Sequence, residues 1–413
     1  MNNLFDEICV IGLGFVGLTT ALSFTNKNFK VVGVDNNEHV INSLKKRKIL
    51  FNEPVLRSKL IKAIKNKKIR FEKNLDFLEN KNYIFFICVG TPVNAKSEYS
   101  LKNLHQTIDL IQKKIYKKGY IFIKSTVIPG TTKSIINSNI KNNNLKICNN
   151  PEFLREGKAW EDFNFADKII VGCEDEIFKK ISKQIYKKFN TKVSFVNSIT
   201  AEFSKQLSNA FLSNLISFSN NFAILGEKLK YVDIKTAFHS LRLDKRFFGN
   251  PALISSYVHP GLGFGGYCLP KDIKALSKFS KKYNQNNFFE KIIKTNDQIF
   301  NMHLKKILKM TKTKDKIYIL GLSFKVGTDD IRFSKSIVLV DRLLKNKYKN
   351  LTLCDPLSYD NLINYYKLKK IIIKKIPNYE KNAFYILSTP YKKYINFLKK
   401  IPKKQVIDTR YTI

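Results

Sequence analysis

Acidic residues, arginine, proline and tryptophan are all scarce in this chain. Its 413 residues carry 33 Asp and Glu against 74 Lys and Arg, for a formal charge of +41, and only nine of those cations are arginine. The lysines are spread among asparagine and isoleucine, a mixture that an AT-rich genome favours, rather than gathered into one patch. The charge therefore reads as composition, and no specific nucleic-acid partner is expected. A general attraction for polyanions or for an acidic membrane surface is the other reading. Long hydrophobic runs are missing too. The longest uninterrupted one, 83–89, falls far short of the roughly 20 residues that a spanning helix needs, so no membrane insertion is expected. The apolar stretch 8–24 is preceded by Asp6 and Glu7, where a secretory signal would carry positive charge. The six cysteines, at 9, 88, 148, 173, 268 and 354, form no CxxC pair and no regular framework, which suggests a reducing cytoplasm. No metal site is expected. With five histidines, of which only His259 stands beside a motif, chemistry built on a histidine base has little support.

What remains is a chain that is 44% hydrophobic and long enough for two or three domains, each with its own core. A strand at 7–14 runs into a glycine turn, a helix follows over 16–25, and a second strand at 30–34 ends at Asp35. This is a βαβ opening. Apolar runs at 83–89, 120–124, 145–148 and 168–173 alternate with lysine-rich amphipathic stretches, the pattern of a parallel sheet covered by helices. A proline-free stretch, 199–229, has helical spacing and more than one apolar face. Strand patterns then resume at 317–320, 351–354, 384–387 and 405–407. The expected fold is α/β, with two Rossmann-like doubly wound domains joined by a long central helix. The expected division is 1–195, 196–300 and 301–413.

The glycines Gly12, Gly14 and Gly17 form a GxGxxG turn between strand and helix. Such a turn lets the backbone approach a pyrophosphate at the helix N-terminus. Asp35 would accept hydrogen bonds from ribose hydroxyls and repel a 2′-phosphate, and no arginine follows it, so NAD is favoured over NADP. At later strand ends lie Val89-Gly90-Thr91-Pro92, the run from Ser125 and Thr126 to Thr132, and the run from Asn150 through Glu152, Phe153, Leu154, Arg155 and Glu156 to Gly157. Each alone could be a turn, but three at equivalent positions argue for a ligand crevice. On the central helix Glu202, Lys205 and Asn209 share a face. That face is either solvated or presents Lys205 and Asn209 as donors to a developing oxyanion. The run Gly261-Leu262-Gly263-Phe264-Gly265-Gly266-Tyr267-Cys268-Leu269-Pro270-Lys271-Asp272 sets a thiol among glycines and beside cations, as a nucleophile requires. The other five cysteines read as packed, inert thiols. A last strand-end loop, from Gly321 to Arg332, carries Lys325 and Arg332, which suit a diphosphate.

The ordered set GLGFVGL, STVIPGTT, NPEFLREG, AEFSKQLSNA, GFGGYCLPKD and LSFKVGTDDIR resembles the family of nucleotide-sugar 6-dehydrogenases, from the first glycine motif to the last few residues. Within that family the likeness is greatest to the enzymes that convert UDP-glucose to UDP-glucuronate. GDP-mannose, UDP-galactose and UDP-N-acetyl-hexosamines are alternative substrates, and a non-catalytic polyanion-binding protein with a retained fold is an alternative of another class. The resemblance implies a four-electron oxidation with two NAD used in turn. Cys268 would form first a thiohemiacetal and then a thioester, and water would release the acid. It further implies that Lys205 and Asn209 stabilise oxyanions, that Asp272 with Thr126 holds the hydrolytic water, and that Glu152 assists proton transfer. Phe153, Leu154, Phe264, Gly265, Lys325 and Arg410 would contact the sugar nucleotide. Thr91, Thr126, Glu156, Lys271 and Arg332 would belong to the NAD site. Arg246 is a further candidate substrate contact. It opens a segment, 246–261, that is longer than is common in the UDP-glucose enzymes. A homodimer built on the central segment is also implied.

Overall fold

The computed structural model describes residues 4–53, 55–95, 97–229, 231–244, 259–281, 288–367 and 371–413. The chain divides into two compact units, Met1–Ser208 and Asn209–Ile413, and the division falls inside the helix Ser198–Gly226.

The first unit holds eight strands: β1 (Glu7–Ile11), β2 (Val31–Val34), β3 (Ile69–Glu72), β4 (Tyr83–Ile87), β5 (Gly119–Ile123), β6 (Leu145–Asn149), β7 (Ile169–Gly172) and β8 (Val193–Val196). Their order in the sheet is β3-β2-β1-β4-β5-β6-β7-β8. All neighbours are parallel except β6 and β7, which meet antiparallel at Asn149 and Gly172. A strand covered on both faces must be apolar at consecutive positions, and β1 and β4 show why. Ile8, Val10, Ile84 and Phe86 enter the core on one side of the sheet, while Cys9, Ile11, Tyr83, Phe85 and Ile87 enter the core on the other. Strand order reverses between β1 and β4, which is where an open parallel sheet leaves a crevice for a ligand.

In the second unit β9 (Lys316–Leu320), β10 (Leu351–Cys354), β11 (Ile372–Ile373), β12 (Ala383–Leu387) and β13 (Val406–Asp408) form a parallel sheet in the order β11-β10-β9-β12-β13. Ile317, Ile319, Leu351 and Leu353 pack on one side, and Tyr318, Leu320, Tyr385 and Leu387 on the other. The two sheets share one local device. Asp35, just past β2, accepts the N–H of Leu13 at 2.8 Å. Asp355, just past β10, accepts those of Leu322 at 2.7 Å and Ser323 at 3.1 Å. In each case an acid at the end of the second strand ties down the loop that follows the first. The α/β architecture with two doubly wound sheets agrees with the sequence. No described helix is long and apolar enough to cross a membrane.

Candidate active site

In the first unit Gly12 ends β1 at φ +89°, and a Cβ there would meet the Cys88 and Val89 backbone at 3.0 Å. A Cβ on Gly17 would lie 1.7 Å from the Gly12 carbonyl oxygen, so the helix Phe15–Asn26 can pack this close to β1 only with glycine at 17. Gly14 caps that helix in extended backbone without a side-chain bond, and open space faces it. The first-turn amides are thus left to an anion. Asp35, held by Leu13 and by the N–H of Asn37 at 2.9 Å, stands beside this turn. These residues fit NAD. Across the next strand ends two hydroxyls lace the loops together: Ser125 donates to the Val89 carbonyl at 2.6 Å, and Thr91 to the Thr126 carbonyl at 2.8 Å.

The loop after β6 brings together two of the candidate residues, which the sequence did not pair. Glu152 and Lys205 are both buried, and Glu152 Oε1 lies 2.9 Å from Lys205 Nζ. The other carboxylate oxygen accepts the N–H of Leu154 at 2.6 Å. Two ammonium groups lie near the Phe153 ring, Lys168 at 4.5 Å and Lys205 at 5.5 Å from its centre. The Glu202–Lys205–Asn209 face of the helix is buried rather than solvated. Glu202 accepts the N–H groups of Gly130 at 2.6 Å and Thr132 at 2.7 Å, together with the Thr132 hydroxyl at 2.6 Å. It holds the start of the helix Thr131–Asn139. Burial raises its pKa above the usual carboxylate range, and those hydrogen bonds oppose the rise.

In the second unit Cys268 is half-buried and begins the helix Cys268–Lys281. Asp272, one turn on, accepts from the Asn209 amide and pairs with Lys271. Lys271 and Arg332 both lie over the Tyr267 ring, at 5.4 Å and 5.0 Å, and Arg332 is paired with Asp330 at 2.6 Å. The glycine run is there because its neighbours leave no room. A Cβ on Gly263 would meet Asn296 Oδ1 at 2.3 Å, on Gly265 the Phe333 carbonyl oxygen at 2.5 Å, and on Gly261 the Arg410 side chain at 2.8 Å. Asn296 clamps Phe264, accepting its N–H at 2.7 Å and donating to its carbonyl at 3.1 Å. Arg410 donates from Nε to the Ser388 carbonyl at 2.6 Å, and burial pushes its pKa down to about 10. Lys325 Nζ lies 5.5 Å from the Phe324 ring centre. Glu156 lies half-buried on the Glu152 loop, and Arg246 lies outside the described residues.

The cysteines at 9, 148, 173 and 354 are buried. Cys88 is half-buried, and burial pushes its thiol up to about 12, as expected of inert packed thiols. Among the described residues no cluster of His, Cys, Asp and Glu could hold a metal.

Sequence reasoning passed over Glu53 and Lys124. Glu53 is buried and accepts the N–H of Gly157 at 2.5 Å. Lys124, also buried, donates to Asn150 Oδ1 at 3.2 Å, and burial lowers its pKa. The signal was faint, an acid before a proline in an acid-poor chain and a lysine directly after an apolar strand.

Three family models match, described as the NAD binding domain (residues 6–190), the central domain (199–298) and the UDP binding domain (318–413) of the UDP-glucose/GDP-mannose dehydrogenase family. A UDP-glucose 6-dehydrogenase of Rickettsia bellii is 34% identical over 363 residues, 86% of this chain and 82% of the relative. The fold is similar to that of a UDP-glucose dehydrogenase from Pyrobaculum islandicum, with a TM-score of 0.87 at 26% identity, covering 99% of this chain and 95% of the other. It is also similar to that of a UDP-D-ManNAc dehydrogenase from Pyrococcus horikoshii, with a TM-score of 0.81 at 24% identity over 98% and 96%, a likeness of fold alone.

Proposed function

The chain belongs to the UDP-glucose/GDP-mannose dehydrogenase family, whose NAD-dependent UDP-sugar dehydrogenase fold and NAD-binding domain it carries, and from that premise we propose that it oxidises UDP-glucose at C6 to UDP-glucuronate. The observation that carries the choice of sugar is the 34% identity, over most of the chain, to relatives named UDP-glucose 6-dehydrogenase. Gly12, Gly14, Gly17 and Asp35 hold NAD, with Thr91, Thr126, Glu156, Lys271 and Arg332 as further contacts. NAD, when bound, accepts the hydride in each of the two oxidations.

The chain's own groups do the rest. Lys205 and Asn209, one turn apart on one helix, donate to the C6 oxygen as it becomes negative. The Cys268 sulfur adds to the aldehyde carbon to give a thiohemiacetal, and oxidation leaves a thioester. Cys268 opens its helix, where the macrodipole favours an anionic sulfur. Water attacks the thioester carbonyl, the C–S bond breaks, and the thiol and carboxylate are released. Asp272, anchored by Asn209 and Lys271, orients that water. Glu152, paired with Lys205, takes up the proton. Phe153, Leu154, Phe264, Gly265, Lys325 and Arg410 hold the sugar nucleotide, with 1–195, 196–300 and 301–413 as the working divisions.

The same reading includes a homodimer. Ile199, Phe203, Leu207, Phe211, Phe218, Phe222 and Leu225 are each between 41% and 57% exposed and recur at helical spacing along Ser198–Gly226. A stripe of this length calls for a partner.

The test is NADH released per sugar, measured with UDP-glucose, UDP-galactose, GDP-mannose and UDP-N-acetyl sugars. We expect two NADH per UDP-glucose and kcat/KM for the others lower by about tenfold or more. A better substrate among the others would overturn the choice of sugar.

A further inference from the structure

The loop 150–157 carries Glu152 and is pinned at both ends by buried polar groups outside the catalytic set. At its entrance Asn150, 1% exposed, donates from Nδ2 to the Ile170 carbonyl at 2.7 Å and accepts at Oδ1 from the Tyr186 hydroxyl at 2.6 Å and from Lys124 at 3.2 Å. At its exit stands Glu53, 5% exposed. Its Oε1 accepts the N–H of Gly157 at 2.5 Å, and its Oε2 accepts that of Ala159 at 3.3 Å, a link across 104 residues of sequence. Between the two pins Glu152 accepts the Leu154 N–H and meets Lys205. Gly157 has φ +85°, a conformation that a glycine leaves readily when nothing holds it.

We propose that Glu53 is a positioning residue: its buried carboxylate fixes the exit of the loop and so sets Glu152 against Lys205. A carboxylate suits this place because it can accept two amides at once. The inference rests on the reading of Glu152 and Lys205 as catalytic groups. Loss of Glu53 would leave the far side of the loop anchored through Glu152 itself, and the carboxylate would then wander relative to the ammonium it serves.

Glu53→Ala and Glu53→Gln test this, read by amide hydrogen exchange and by steady-state kinetics with UDP-glucose and NAD. In Glu53→Ala the amides of Leu154 and Gly157 should exchange about tenfold faster or more while those of β5 keep their protection. The kcat should fall by about tenfold, with the acidic limb of its pH profile displaced. Glu53→Gln keeps one acceptor and should recover kcat to within about threefold of the parent. Should Glu53→Ala not fold, Glu53→Asp, one methylene too short to reach both amides, takes its place. Unchanged exchange at Leu154 and Gly157 would overturn the proposal. So would faster exchange with kcat within about twofold of the parent, since the loop would then be loosened without consequence. If the parent oxidises no UDP-sugar at all, the proposed function fails, and the exchange experiment still decides whether Glu53 clamps the loop.

Discussion

Several buried or half-buried acids in this acid-poor chain hold backbone amides, among them Asp35 at Leu13, Asp355 at Leu322 and Ser323, Glu202 at Gly130 and Thr132, and Glu53 at Gly157. Each amide belongs to a loop at a strand end or to the entry or first turn of a helix, so these carboxylates shape the strand-end loops. A residue of the opposite kind tests the same interior. His303 is fully buried, with neither ring nitrogen hydrogen-bonded, and its ring lies 5.6 Å from that of Tyr411. Burial, helped by the charges of Lys306 and Arg410, pushes its pKa down to about 3, against about 6.5 in an unfolded chain. The folded pKa is the lower one, so the contribution is fully present above about pH 6.5 and is lost as pH falls toward 3. Urea unfolding at pH 7 and pH 5 should show a loss of up to about 2 kcal/mol from this group, and His303→Phe should remove that part of the difference. An identical pH dependence in the variant would contradict the assignment.

At the scale of elements, the strands β4 and β5 were legible because a doubly covered strand is apolar at consecutive positions. The strands β3, β8 and β11 were not. The sequence Ile69-Arg70-Phe71-Glu72 is a half-exposed edge, Val193–Val196 is half-buried throughout, and β11 is two residues long. None of the three has a run that separates it from loop. The central helix was legible to within a few residues, but the burial of its Glu202, Lys205 and Asn209 face was not, because spacing places residues on one face without saying what covers it. Its other apolar stripe carries the oligomer prediction. Sedimentation at micromolar concentration should give twice the chain's 47.9 kDa or a multiple of it. Phe211→Glu combined with Phe218→Glu should give the single-chain mass with far-UV circular dichroism unchanged. A parent that sediments as a monomer would remove the dimer from the account.

For the molecule as a whole, the motif order carried the fold class, since GLGFVGL, STVIPGTT, NPEFLREG and LSFKVGTDDIR lie where strands end. What it could not carry was which groups meet. The pairing of Glu152 with Lys205, of Asn209 with Asp272, and of Lys271 and Arg332 with the Tyr267 ring depends on loops whose course only the fold determines. The central claim is covalent chemistry at Cys268, and it separates the two halves of the reaction. An alcohol loses hydride without a nucleophile, but the aldehyde needs one before it can lose a second hydride. Cys268→Ser replaces a good leaving group with one that gives a far more stable ester. The decisive measurement is the intact mass of Cys268→Ser quenched after incubation with UDP-glucose and NAD, taken together with NADH released per sugar. The account predicts a covalent ester adduct at Ser in position 268 with turnover nearly abolished; an unmodified chain still producing two NADH per sugar at close to the parental rate would contradict it.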